Sequence, residues 1–243
     1  MSAVSHGWLS SNKRHITQNG PRGQIEGNAI VCYIWPVICL LIATDNLGKR
    51  REYRQLLAPL PLKLCSPQEL GLELHVQENG GTYSENARLK AVGYQRASGL
   101  LTLADDSGLE VDALGGKPGL RSARQGGPDA DDVARYRLLL KQLQGVPWEK
   151  RTARFRCAIV VATPEGETYH AKGACEGMIA YEPRGEHGFG YDPVFHLPEY
   201  GQTMGELDST TKNRISHRAR AAQDILPILA GLLTAQSSAN RIR

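Results

Sequence analysis

The strongest constraint on how this chain can fold is a change of period near Trp148. Before it, short apolar runs alternate with amphipathic segments. After it, Ala153 to Thr163 and Glu167 to Ala180 read as long strands, and Pro164-Glu165-Gly166 between them reads as the turn of a hairpin. Upstream, Val37 to Ala43 and Leu100 to Ala104 read as buried strands, with Leu62 to Cys65 a shorter one. Gly48 to Leu57 reads as a helix with Tyr53, Leu56 and Leu57 on one face, ended by Pro59 and Pro61. Strands that first alternate with helices and then pair as a hairpin predict an α/β class with a mixed central sheet.

Caps mark the other helices. Thr82-Tyr83-Ser84-Glu85 is a capping box, in which Thr82 accepts from the Glu85 amide and Glu85 reaches back to the cap amide. The helix it opens runs to about Ser98. Asp129, Asp131 and Asp132 mark another start, followed by an apolar stripe of Val133, Tyr136, Leu140 and Leu143. A last helix is predicted from about Ser209, with Ile215, Ala219, Ala222 and Leu226 on its apolar face and a break at Pro227. Pro183 to Pro198 is too long for a mere connection and reads as a functional loop.

Composition narrows the class. With 243 residues, 41% hydrophobic and 22% charged, the chain is neither disordered, collagen-like nor a polytopic membrane protein. The net charge is +4, and Lys13, Arg14 and Arg22 against Glu26 leave only about half of it beyond residue 37. That is too little for a nucleic-acid-binding face. The apolar run Ala29 to Ala43 is too short to span a bilayer and is interrupted by Pro36. Five scattered cysteines, Cys32, Cys39, Cys65, Cys157 and Cys175, form neither a zinc spacing nor a disulfide framework, and read as buried thiols in a reducing cytoplasm. The polar start predicts a flexible extension over residues 1–36, then one domain over 37–236 and a short tail over 237–243.

Three stretches carry chemistry. Thr44-Asp45-Asn46-Leu47-Gly48-Lys49 lies between a strand and a helix, where backbone N–H groups, two polar side chains and a lysine suit phosphate oxygens. Asp105-Asp106-Ser107-Gly108 places two carboxylates at the end of an apolar strand, where they need a cation or a proton, and Ser107-Gly108 reads as a sharp turn. Glu78, on a glycine loop, offers a further carboxylate, so that Mg²⁺ shared with substrate phosphates would neutralise the cluster. Gly188-Phe189-Gly190-Tyr191-Asp192 offers aromatic faces for a base. Lys212, Ser216 and His217, within about one and a half turns of one helix, offer donors to a purine O6.

Taken together, these stretches resemble the inosine/xanthosine triphosphate pyrophosphatase family. The resemblance is carried in collinear order by Thr-x-Asn-x-x-Lys at 44–49, Glu78, Glu85-Asn86-Ala87 with Lys90, Ala-Asp-Asp-Ser-Gly-Leu at 104–109, Leu-Gly-Gly-x-Pro-Gly at 114–119, Ser-Ala-Arg at 122–124, Gly-Phe-Gly-Tyr-Asp-Pro at 188–193 and Lys212 with Ser-His-Arg at 216–218. It implies an elongated, two-lobed α/β fold with a central nucleotide cleft, usually dimeric, that uses Mg²⁺ to cleave between the α- and β-phosphates. By the same resemblance Thr44 to Lys49 bind the triphosphate, Glu78 and Asp106 hold the metal, and Asp106 accepts the proton of the attacking water beside Asp105. Lys49 offsets charge on the leaving pyrophosphate, Lys90 and Ser107 contact substrate, and Phe189, Gly190, Tyr191, Asp192, Lys212, His217 and Arg218 hold the base.

Two positions depart from the family pattern: Asp45 stands where glycine is usual, and Arg121 where an aromatic residue is common. Three other readings compete. A catalytically silent nucleotide- or RNA-binding module would not need the Asp105, Asp106 and Glu78 set. An aspartic protease would need a mostly β chain. The septum-associated nucleotide pyrophosphatases are expected to carry a Ser/Arg phosphate turn instead.

Overall fold

A computed structural model describes the backbone of residues 38–241 and the side chains of 38–235. The reading of residues 1–36 as an extension lies outside the described residues. The elements are β1 (Ile38–Ile42), α1 (Leu47–Leu56), β2 (Leu62–Cys65), α2 (Tyr83–Ser98), β3 (Leu101–Val111), β4 (Lys117–Pro118), α3 (Asp132–Gln142), β5 (Thr152–Ala162), β6 (Thr168–Ile179), β7 (Phe195–Leu197), β8 (Gln202–Thr203), α4 (Ser209–Ile215) and α5 (His217–Arg241). They form the mixed sheet expected, in the order β2-β1-β3-β5-β6-β7-β8, with β4 on β3. The β2, β1 and β3 pairings are parallel and all others antiparallel.

Both faces of the parallel part are covered, which is why its strands read as continuous apolar runs. Leu40 and Ile42 face Ala222, Ile225 and Leu229 of α5, while Leu41 and Ala43 face Ala87, Ala91 and Tyr94 of α2. A third cluster holds the antiparallel end, where Leu139 of α3 and Leu143 just past it meet Phe155, Ile179 and Phe195. The β5–β6 hairpin has the expected turn, with a paired register from Thr152–Met178 to Ala162–Thr168.

Several expectations are corrected. Asp105-Asp106-Ser107-Gly108 is not a turn, because β3 runs straight through it and pairs each residue with β5. Gly108 is required instead by close packing, since a Cβ there would collide with the Gly119 carbonyl and the Ser122 hydroxyl. Thr82 caps α2 as expected, but Glu85 accepts from the Gly81 amide, one residue before the cap. Of the expected α3 stripe only Val133 is exposed: Tyr136 and Leu140 pack half-buried on the core, Leu143 just past the helix is buried, and Leu139 joins them. The final helical region breaks at Ser216, not at Pro227. Ser216 has extended backbone, and its hydroxyl accepts from the Ala219 amide at 3.2 Å, so it caps a new helix. Lys212 and His217 therefore sit on two different helices. Finally, Cys39 and Cys65 are joined in a disulfide, with Cα atoms 6.5 Å apart. The parallel register places Cys65 opposite Leu41, two residues from Cys39, which puts both sulfurs on one face of neighbouring strands. Cys157 and Cys175 are buried thiols, as read.

Two glycines test this packing in opposite directions. A Cβ at Gly173 would collide with backbone atoms of His217 and Ala221 where β6 meets α5, while one at exposed Gly231 of α5 meets nothing within 4 Å. Gly173→Ala is expected to destabilise the fold by about 1–3 kcal/mol. Gly231→Ala is expected to stabilise it by about 0.5–1 kcal/mol. Urea denaturation of both variants measures the difference.

Candidate active site

Parallel pairing brings the carboxyl end of β1 beside the first residues of β3, Leu101 to Leu103, just before Asp105. Past β1, Asn46 caps α1, its side-chain oxygen accepting from the Lys49 amide at 3.0 Å, and the Asn46 amide donates to the Thr44 hydroxyl at 3.3 Å. The positive end of α1 thus opens on a cleft of about 260 Å³, lined by Thr44, Asn46 and Lys49 from this turn. Glu78, Lys90, Asp106, Ser107, Phe189, Gly190, Tyr191, Asp192, Lys212, His217 and Arg218 line it too. Residues 114–119 contribute nothing to the wall, whereas Ser122 and Arg124 do. Four of the sequence candidates are outside the lining: Asp45 and Leu47 are exposed, Gly48 is packed beneath the Phe189 ring, and Asp105 lies behind the wall.

Strand alternation separates the two adjacent carboxylates. Asp105 turns into the core, where its Oδ1 is 3.1 Å from Lys49 Nζ and its Oδ2 accepts from Arg218 Nη2 at 3.1 Å and Nε at 3.2 Å. Burial by itself raises its pKa, but Lys49 and Arg218 overcome this and hold Asp105 well below the usual carboxylate range. Asp106 turns to the cleft and toward α2. Its Oδ2 accepts from Asn86 Nδ2 at 3.1 Å and its Oδ1 from the Ser107 amide at 3.0 Å. Burial pushes its pKa up, Lys90 and Lys49 oppose the rise, and the Glu78 charge adds to it. One carboxylate is held as a buried counter-ion, and the other faces the cleft with its pKa raised.

The ion pairs continue beneath the cleft. Arg218 Nη1 donates to Glu52 at 2.6 Å, Glu52 accepts from Lys212 at 2.7 Å, and Lys212 reaches Asp192 at 2.5 Å. Glu52 escaped the sequence reading. Its signal was a carboxylate three residues after Lys49, beside Tyr53 on the apolar face of α1, where no solvated charge belongs. At the far wall, Asp192 accepts from the Phe189 amide and Asp132 from the Gly190 amide, both at 2.7 Å. Asp132 and Arg135 of α3 were also missed, because they lie nearly sixty residues before the loop they meet. Tyr191 is buried and its hydroxyl bonds Gln125 at 2.6 Å, so it ties the loop down and offers no free stacking face. The Phe189 ring lies 4.9 Å from Lys212 Nζ and 5.6 Å from the Arg218 guanidinium.

Glu78 pairs with Lys90 at 2.9 Å. No group of three or more His, Cys, Asp or Glu among the described residues is arranged to hold a metal. The donor set nevertheless fits magnesium, which is bound through one or two carboxylates with substrate phosphates completing the shell. Glu78 and Asp106 are two such groups in the cleft lining, and the Glu78 charge contributes to the raised pKa of Asp106.

A helix N-terminus, two carboxylates in the lining and a buried ion-pair network beside an aromatic loop are what a nucleotide-handling hydrolase requires. Residues 40–228 match the model of the Ham1 family, and the chain belongs to that family. It is 50% identical to a dITP/XTP pyrophosphatase of Desulforamulus reducens over 78% of this chain and 94% of that one. It is 46% identical to the dITP/XTP pyrophosphatase of Bacillus subtilis over 78% of this chain and 96% of that one. Among solved structures it is similar to the Staphylococcus aureus Ham1 protein, with a TM-score of 0.71 and 38% identity over 79% of this chain and 98% of that one. The Coxiella burnetii HAM1 protein gives a TM-score of 0.72 and 36% identity over 80% of this chain and all of that one.

His217 supplies a pH test. Its ring stacks on Phe155 at 4.6 Å, it is buried, and its Nδ1 has no hydrogen-bond partner. Burial, and then Arg218 and Lys212, hold its pKa well below the ordinary value, so it is neutral in the folded protein. The unfolded chain takes up a proton near pH 6.5 that the folded chain refuses, so this stabilisation is complete above that pH and lost as pH falls. Stability is expected to drop by up to about 1.4 kcal/mol per pH unit below ~6.5 from this residue. Denaturation curves of His217→Gln should show a flatter slope between pH 7 and 5.

Proposed function

We propose that this protein hydrolyses the triphosphates of deaminated purines, among them XTP, ITP and dITP, to the monophosphate and pyrophosphate, and so keeps these nucleotides out of DNA and RNA. The observation that carries this reading is the division of labour on β3, where only Asp106 faces the cleft while Asp105 is locked behind Lys49 and Arg218. The relatives named dITP/XTP pyrophosphatase support the substrate class.

In this reading the triphosphate lies along the α1 N-terminus, held by Thr44, Asn46 and Lys49. Asp106 takes a proton from water as the water oxygen bonds to the α-phosphorus and the bond to the bridging oxygen breaks. Lys49 and Lys90 offset the charge that develops on the departing pyrophosphate. Glu78 and Asp106 would hold the magnesium ion, which supplies further counter-charge to the phosphate oxygens when bound. At the other end Phe189 offers its face to the base. Lys212 and Arg218 are already committed to Glu52, Asp192 and Asp105, whereas Nδ1 of neutral His217, buried in the cleft wall, has no partner in the protein and is a candidate for the base edge. No helix among the described residues is long and apolar enough to cross a membrane. The working form is a homodimer acting on the cytoplasmic nucleotide pool, without a nucleic-acid partner.

Incubation with ITP or XTP should release pyrophosphate, with orthophosphate appearing only after inorganic pyrophosphatase is added. Orthophosphate without that addition would refute the bond assignment, and binding without any release would favour the silent nucleotide-binding module. Asp106→Asn is expected to lower kcat at least ~10²-fold, since it removes the proton acceptor. Asp45→Gly tests the departure in the phosphate turn. The Asp45 side chain is exposed and outside the cleft, so KM for ITP should stay within about twofold of the wild type.

A further inference from the structure

Asn86 is 1% exposed in the first turn of α2, and both ends of its amide are used. Its Nδ2 donates to Asp106 Oδ2 at 3.1 Å, and its Oδ1 accepts from the Gly80 amide at 2.8 Å. Gly80 lies two residues beyond Glu78, on the segment 77–81 that leads into the helix. No strand or helix includes this segment, and the two Asn86 bonds link it through α2 to Asp106 of β3. Gly80 has to be glycine for this contact, because a Cβ there would lie 2.9 Å from Asn86 Oδ1 and 2.7 Å from the Glu85 Cβ.

We propose that Asn86 is a positioning residue that sets the carboxylate of Asp106 and the segment carrying Glu78 at a fixed separation. It contributes through the Asp106 carboxylate, whose other oxygen is held by its own neighbour's amide. Only a side chain with a donor and an acceptor about one amide apart can span the two groups. Aspartate keeps the acceptor for Gly80 but turns a second carboxylate toward Asp106, and alanine removes both ends. The proposal rests on the reading of Asp106 and Glu78 given above.

The test compares wild type, Asn86→Ala, Asn86→Asp and Gly80→Ala in three measurements. These are hydrogen exchange over residues 77–81, Mn²⁺ binding without nucleotide followed by the free-ion spin-resonance signal, and ITP kinetics at saturating Mg²⁺. Asn86→Ala is expected to speed exchange at 77–81, weaken Mn²⁺ about tenfold and lower kcat by a similar factor, with KM within about twofold. Asn86→Asp should keep slow exchange at 77–81 while kcat still falls, a split that a merely structural helix residue would not produce. Gly80→Ala should move exchange, Mn²⁺ affinity and kcat in the same directions as Asn86→Ala, and it decides the matter if the alanine variant does not fold. A folded Asn86→Ala with wild-type exchange and wild-type kcat overturns the proposal. If the wild type hydrolyses ITP but retains no Mn²⁺, the metal reading fails and exchange with kcat still decides on Asn86. If it hydrolyses nothing, the substrate reading fails and exchange with Mn²⁺ affinity decides.

Discussion

The rest of the site depends on a chain of buried charges running Lys49–Asp105–Arg218–Glu52–Lys212–Asp192. Removing any of these groups from water is costly, and each is tolerable only because the next lies within hydrogen-bond reach. The chain ties α1, β3, α4, α5 and the 188–192 loop to one another. Its two ends surface where the two ends of a nucleotide would lie, with Lys49 at the helix terminus and Asp192 under the Phe189 loop. In the proposed reading, placing the phosphate end therefore also places the base end, and the Phe189 ring packs on Gly48 between them.

This network explains why one helix carries unlike residues on one face. Tyr53 and Leu57 of the α1 region are buried because the sheet needs them, and Glu52 is buried because Arg218 and Lys212 need it. The same logic turns β3 from a turn into a strand. Asp105 could stay in a strand because its charge is answered from behind, and Asp106 because it meets Asn86 and the cleft in front.

Much of the scaffold could be read from sequence because it depends on local rules. The Thr82 cap, the hairpin at Pro164-Glu165-Gly166, the strand before Thr44 and the α1 helix each follow from neighbouring residues. The three motif stretches were also visible, and the fold brings most of their residues to one cleft. What could not be read depends on partners far along the chain. Glu52 meets Arg218 across 166 residues. Cys39 meets Cys65 through a crossover, and Gly108 is small because Gly119 lies against it. A turn and a strand compete at Asp-Ser-Gly on local propensity, and ten consecutive pairings with β5 settle it.

The adjacency of Asp105 and Asp106 is the last step of this logic. Two carboxylates one residue apart on a helix or in a turn would share a solvent environment and titrate almost alike. On a strand they leave opposite faces, so that one can be surrounded by cations and the other left in a drier, less compensated place. Burial raises both, but Lys49 and Arg218 bring Asp105 down, whereas the opposition of Lys90 and Lys49 leaves Asp106 raised. The strand geometry of β3 thus gives two identical neighbours different surroundings, Asp105 paired with Lys49 and Arg218 and Asp106 lining the cleft. A bend at Ser107-Gly108 would undo this separation. The tight seat of Gly108 against Gly119 and Ser122 leaves no room for a larger side chain where β3 passes the cleft.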